Sequence, residues 1–151
     1  MALKETIQRF TPMLYVRGSK DAVAFYDEVF GTEEIAERTM LLSQVPGMEA
    51  VPGADRTVVY SKLQFADGSG LNVAEQNEGG PTTREGVVVG NNIHVGLQHS
   101  DAAVQKAEFD KLAEGGEVLE PLEEKFWGVA FGIVRDKYGV IWESNCYLKQ
   151  G

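Results

Sequence analysis

Few residues of this chain can do chemistry. Its 151 residues include two histidines, His94 and His99, and one cysteine, Cys146. The histidines stand five positions apart, so on one extended strand their rings leave from opposite faces and cannot share a ligand. His99 is expected near the cap of a following helix instead. Cys146 sits in a strand-like run and reads as a small buried hydrophobe rather than a nucleophile. No histidine accompanies a serine or cysteine at a recognisable nucleophile elbow, so covalent hydrolysis has no support. The aromatic residues Phe126, Trp127, Phe131 and Trp142 offer flat faces to a planar or cationic ligand. Core or dimer packing is the alternative use of the same rings. Trp127, beside Gly128 in a loop-like stretch, is the one expected to line a cavity, with Tyr60 and Asn72 as polar contacts.

These residues need elements to carry them. Ser19 is placed to cap a helix with Asp21 in its first turn, and Ala22, Phe25, Tyr26 and Val29 form an apolar face ending at Gly31. A second helix repeats the design: Ser100 caps, Asp101 follows, Ala102, Phe109, Leu112 and Ala113 mark the apolar side, and Gly115-Gly116 stops it. Short β-rich runs cover 10–16, 57–65, 71–75, 92–98, 129–134 and 140–146, with weaker strands over 34–43 and 117–122. Asp67-Gly68 and Tyr138-Gly139 punctuate hairpins. The segment 45–54, with two prolines and two glycines, reads as an excursion. In order the chain runs strand, helix, strand, strand, strand, and then the same again. The modules span about 10–76 and 92–148, joined by a linker over 77–91.

Composition bounds the possibilities. Hydrophobic residues make up 43% and charged residues 25%, enough to bury a core in a single globular domain. The net charge of −9 argues against a nucleic-acid partner or an anionic membrane surface. A lone cysteine cannot form an intrachain disulfide, and no run approaches a membrane span or a secretory apolar segment. A cytoplasmic location is the expectation.

Particular motifs sharpen this outline. Thr11-Pro-Met-Leu-Tyr-Val16, followed by Ala22-Val-Ala-Phe-Tyr26 and Val29-Phe-Gly31, resembles the opening of vicinal oxygen chelate proteins. That superfamily includes glyoxalase I, extradiol dioxygenases and bleomycin-resistance proteins. Phe126-Trp127-Gly128, Phe131-Gly132, Val134-Arg-Asp136 and Gly139-Val-Ile-Trp142 are similar to its PhnB-like branch. The resemblance implies an α+β fold in which two βαβββ modules form a cupped, partly closed mixed sheet with the helices outside. It also implies a homodimer and a ligand cavity. PhnB-like chains often carry the label of ubiquinone-pathway methyltransferases. A nucleotide-type site would need a glycine-rich turn between strand and helix, and the one candidate, Gly68-Ser-Gly70, lies between two strands.

The superfamily's enzymes hold a divalent metal through four side chains, one from the first and one from the last strand of each module. His94, in Asn92-Ile-His-Val-Gly-Leu97, stands at the family's histidine position, and Glu143 at its carboxylate position. Imidazole and carboxylate suit Zn, Ni, Mn or Fe(II). The corresponding first-module positions hold Thr11 and Asn72, neither a usual strong ligand for these metals. Glu75, Tyr60 or Tyr15 would have to be recruited. Three readings follow. The chain is a small-molecule-binding protein with no cofactor, its ligand met by His94, Glu143, Thr11, Asn72, Tyr60 and Trp127. Alternatively it is a metal-dependent lyase, isomerase or dioxygenase using His94 and Glu143, or else a scaffold that has lost its ligand.

Overall fold

A computed structural model describes residues 9–148. The chain divides into two compact units. The first ends at Glu75 and omits Glu28–Phe30, which group with the second unit, from Gln76 onward.

In the first unit, β1 (Met13–Val16) leads into α1 (Ser19–Phe30), then β2 (Glu33–Glu34), β3 (Met40–Leu41), β4 (Val58–Tyr60), β5 (Lys62–Gln64) and β6 (Gly70–Glu75). Four strands form one mixed sheet in the order β1-β6-β5-β2, with β1 parallel to β6 and the other pairs antiparallel. Strands β3 and β4 make a separate two-stranded ladder. Val16, Tyr26, Leu63, Leu71 and Val73 are fully or almost fully buried.

Several expected boundaries move, each for a local reason. The strand expected from residue 10 begins at Met13; Pro12 before it has no N–H for a ladder, and Phe10 is exposed. The run over 57–65 is cut at Ser61, whose hydroxyl donates to the Val73 carbonyl at 2.7 Å and accepts from the Val73 amide at 3.3 Å. A side chain there takes the place of a backbone pair. The weak strand over 34–43 survives only as β2 and β3, separated by a 3-10 turn at Ala36–Arg38. Thr39 bonds back to the Ile35 carbonyl, and the Gln44 side chain accepts from the Leu41 amide, local bonds that compete with a ladder. Ser19 is not the helix cap: Gly18, at φ 77°, occupies that position and Ser19 is the first helical residue. Gly31 ends α1 in the left-handed conformation, as its position in the sequence indicates.

The second unit repeats the topology. It contains β7 (Val95–His99), α2 (Ala102–Ala113), β8 (Glu117–Glu124), β9 (Val129–Arg135) and β10 (Ile141–Tyr147). The order is β7-β10-β9-β8, again with the first strand parallel to the last. The βαβββ repeat is therefore present in both halves. Asp101, not Ser100, caps α2, accepting from the Ala103 and Val104 amides at 2.8 and 3.0 Å. The helix buries Gln105, Phe109 and Leu112, whereas Ala102, expected on that side, is exposed. Gln105 donates to the Ala130 carbonyl and the Ser144 hydroxyl, so α2 covers the sheet face that carries Ser144. By strand alternation, Glu143, Asn145 and Tyr147 belong to the other face. The hairpin before β10 is pinned by Asp136. Its carboxylate accepts from the Tyr138 and Val140 amides and, at 2.8 Å, from the Trp142 indole N–H.

Candidate ligand site

The parallel register of β7 and β10 pairs Gly96 with Glu143. His94 precedes Gly96 by two residues, so alternation sends its ring to the Glu143 side of the sheet. The two side chains meet there, with His94 Nδ1 2.9 Å from Glu143 Oε1. The other ring nitrogen, Nε2, lies 2.8 Å from the Asn91 carbonyl oxygen. Both neighbours are acceptors, so both nitrogens are called on to donate and the doubly protonated imidazolium satisfies them together. The Glu143 carboxylate first, and then the Asn91 carbonyl, hold the His94 pKa above its ordinary value. The side chains keep 29% and 36% of their exposure, which leaves the pair open to a ligand.

The other candidates are distributed differently. Trp127 stands on the β8–β9 hairpin with 55% exposure, stacked edge-on against the outermost Phe126 at 4.9 Å. With Lys125, Gly128 and Tyr147 they border an open depression of about 650 Å³. Tyr147 and Glu143 share a sheet face but are four residues apart on β10, a separation of about 13 Å. The indole and the His94–Glu143 pair therefore sit at different places in this unit. Trp142 is fully buried, its ring 5.0 Å from Phe30, and is a core residue rather than a stacking platform. Cys146 is buried as well. His99, on the α2 side of the sheet, bonds Glu108 of that helix at 2.7 Å and the Asn145 carbonyl at 3.2 Å.

Thr11, Asn72 and Tyr60 belong to the first unit. Thr11 is exposed and precedes β1, two residues before Met13, the register partner of Asn72. The Asn72 amide oxygen is buried without a hydrogen-bond partner. Tyr60 is on β4, in the separate ladder with β3, and is 41% exposed. Gly68-Ser-Gly70 forms the turn into β6, with Gly68 at φ 91° and the Asp67 carboxylate accepting from Ser69. It makes no strand-to-helix phosphate cradle.

Sequence comparison identifies what the repeated topology belongs to. Residues 6–144 match the sequence model of the Glyoxalase/Bleomycin resistance protein/Dioxygenase superfamily. The chain is a member of that superfamily. It is similar to protein YjdN of Escherichia coli, at 27% identity over 93% of this chain and 96% of the relative. Among solved structures it resembles protein PA1353 of Pseudomonas aeruginosa, with a TM-score of 0.74, 24% identity and coverage of 93% and 98% of the two chains. It also resembles a Bacillus cereus PhnB protein described as a putative 3-demethylubiquinone-9 3-methyltransferase, with a TM-score of 0.70, 21% identity and coverage of 92% and 99%. At these identities the structural likenesses establish the fold.

The superfamily's metal chemistry can be tested against the donors of this member. A metal takes a ring-nitrogen lone pair from histidine, and here both His94 nitrogens face acceptors. Glu75, the carboxylate that could have been recruited, is engaged at the start of α1 by the Gly18 and Ser19 amides and the Ser19 hydroxyl. Among the described residues no three His, Cys, Asp or Glu side chains gather in a way that could hold a metal ion. Among the described residues the site therefore gathers one imidazole and one carboxylate, His94 and Glu143. Gln105 and Glu108, which help fix the frame around the site, were missed in the sequence, and Asp136 was seen there only as part of the Val134-Arg-Asp136 motif, without its role in the hairpin. The Asp136-Lys-Tyr-Gly139 turn pattern was the available signal for that role.

Proposed function

We propose that this superfamily member binds a small organic molecule by hydrogen bonding and aromatic contact, without a metal-centred reaction. The observation that supports this reading is the double engagement of His94 by Glu143 and the Asn91 carbonyl. A charged imidazolium held this way orients Glu143, and no described residue bonds Glu143 Oε2, which is left to accept from a hydroxyl or N–H of a ligand. Trp127 and Tyr147, the latter about 13 Å along β10 from Glu143, provide flat apolar surface for the aromatic end of an elongated metabolite or antibiotic whose polar end reaches Glu143. Titration of tryptophan fluorescence against a panel of such compounds tests the proposal: saturable quenching with the compound recovered unchanged supports it. Turnover of any panel compound would overturn the no-chemistry reading.

We also propose a cytoplasmic homodimer. Ile93, Val88 and Phe126 are 81%, 84% and 98% exposed, apolar surface that a second copy would cover. Among the described residues no helix is long and apolar enough to cross a membrane. Sedimentation at micromolar concentration should give a species of twice 16.5 kDa; a monomer alone would contradict the dimer.

A further inference from the structure

The first unit contains a half-open cavity of about 560 Å³ between α1 and the segment from Glu34 to Val58, its rim formed by exposed residues such as Lys20, Glu34 and Ala36. It shares no residue with the His94–Glu143 pair or the Trp127 depression, and its volume lies in the range of small-molecule sites. Its origin is legible in the residues. Lys20, Val23, Ala24 and Asp27 fall on one stripe of α1 at helical spacing, and this stripe borders the cavity. Small side chains stand on both sides, Ala24 on the helix and Ala36 opposite, so the walls do not close on each other. The Gln44 side chain, another wall residue, is tied to the Leu41 amide and cannot swing in without losing that bond.

The lining has two parts. Val23, Ala24, Ala36, Leu41 and Val58 are apolar, and Val23 and Val58 are themselves buried at 5% and 3% exposure. Charged groups surround them. Arg56 is spent on Asp21 through a short ion pair. That leaves Asp27 and Glu34 against Lys20, two carboxylates facing one cation. Asp27 is the most informative of these. It is half-buried, its Oδ1 accepts from the Thr32 hydroxyl at 2.6 Å, and no described cation pairs with it. Burial raises its pKa despite the Thr32 bond, as fits a carboxylate with no counter-ion.

We propose that this cavity is a second binding site, selective for a small organic cation: a protonated amine on a compact apolar body. The body fills the space over Val23, Ala24 and Leu41, and the ammonium meets Asp27, with Glu34 adding to the negative field. An amine suits Asp27 better than a metal ion does, because Asp21 is paired with Arg56 and Gln44 with the Leu41 amide, and among the described residues no three His, Cys, Asp or Glu side chains gather to complete a coordination shell.

Amide NMR titration of the full chain with benzylammonium, benzyl alcohol and benzoate tests the proposal. The expected result is saturable shifts at Ala24, Ala36 and Thr39, with affinity falling from the ammonium to the alcohol to the carboxylate. Asp27→Asn should weaken benzylammonium about tenfold and leave benzyl alcohol within about twofold. Ala24→Leu, which fills the space, should abolish binding of every probe. Equal binding of benzoate and benzylammonium to the unmodified protein would overturn the proposal without requiring any variant to fold. So would shifts that never saturate, or a well-dispersed Asp27→Asn protein that binds benzylammonium as before. None of these outcomes bears on the His94–Glu143 site, which shares no residue with the cavity.

Discussion

Glu75 is joined twice to Ser19, 56 positions earlier in the chain, its Oε1 accepting from the Ser19 amide at 3.0 Å and from the Ser19 hydroxyl at 2.8 Å. Glu75 Oε2 takes the Gly18 amide at 3.2 Å. The last residue of β6 thus supplies the acceptor that the cap position of α1, a glycine, cannot. A carboxylate at a helix N-terminus also meets the positive end of the backbone dipole.

Replacing Glu75 with alanine strands those donors, and the Ser19 side chain is fully buried. The expected cost is about 1–3 kcal/mol, with Glu75→Gln intermediate because one amide oxygen can still accept. Urea unfolding of both variants measures it. Unchanged midpoints would mean that water replaces the carboxylate without loss, and that Glu75 is free for another role.

His99 makes stability depend on pH. Burial disfavours its charged form, but the hydrogen bond and charge of Glu108, aided by the Asn145 carbonyl, outweigh this and raise the pKa above its ordinary 6.5. A group whose pKa is raised by folding stabilises most when protonated in both states. Its contribution is therefore full below the unfolded value and is lost as pH climbs through the folded one. As pH rises from about 6.5 the His99 contribution should decline, whereas His99→Gln should remove that part of the slope. Thermal unfolding of both proteins across that rise in pH is the measurement, and parallel pH profiles would refute the assignment.

The βαβββ order was legible because each element carries its own signal: Gly31 after α1, the Asp67-Gly68 and Tyr138-Gly139 turns, and the apolar pair Phe109 and Leu112 on α2. What stayed hidden depends on partners distant in sequence or on choices between neighbours. Ser19 looks like a cap until Glu75 arrives from another strand, and Ser100 and Asp101 differ only in which side chain reaches the Ala103 and Val104 amides. The nearness of His94 and Glu143 followed from resemblance, since 49 residues separate them. The engagement of both ring nitrogens did not, because the second acceptor is a backbone carbonyl that any residue at 91 would supply.

Glu143→Gln separates the metal-free reading from the metal-dependent one. Protein purified without chelator and then exposed to Zn, Mn or Fe(II) should hold no stoichiometric metal, and the variant should match it. The affinity for whichever compound quenches the native protein should fall, because the charged acceptor is gone. A stoichiometric metal that disappears in Glu143→Gln would replace the binding reading with the enzymatic one. Elemental analysis alongside the titration gives both answers from one preparation.

The two tryptophans make the aromatic contact separable. Trp142 is fully buried, with its N–H on Asp136, and Trp127 is 55% exposed on its hairpin. Aqueous quenchers should therefore reach Trp127 and leave Trp142 emitting, so Trp127→Phe should remove the quenchable, solvent-exposed component. Phenylalanine keeps a flat ring at the position, and the fold is not at stake on so exposed a turn. Ligand binding should survive in the variant at affinity reduced about tenfold or less, measured by calorimetry, while the fluorescence change on binding disappears. A ligand-induced signal of undiminished size in Trp127→Phe would have to come from Trp142. That would place the bound molecule away from the β8–β9 hairpin and remove Trp127 from the site.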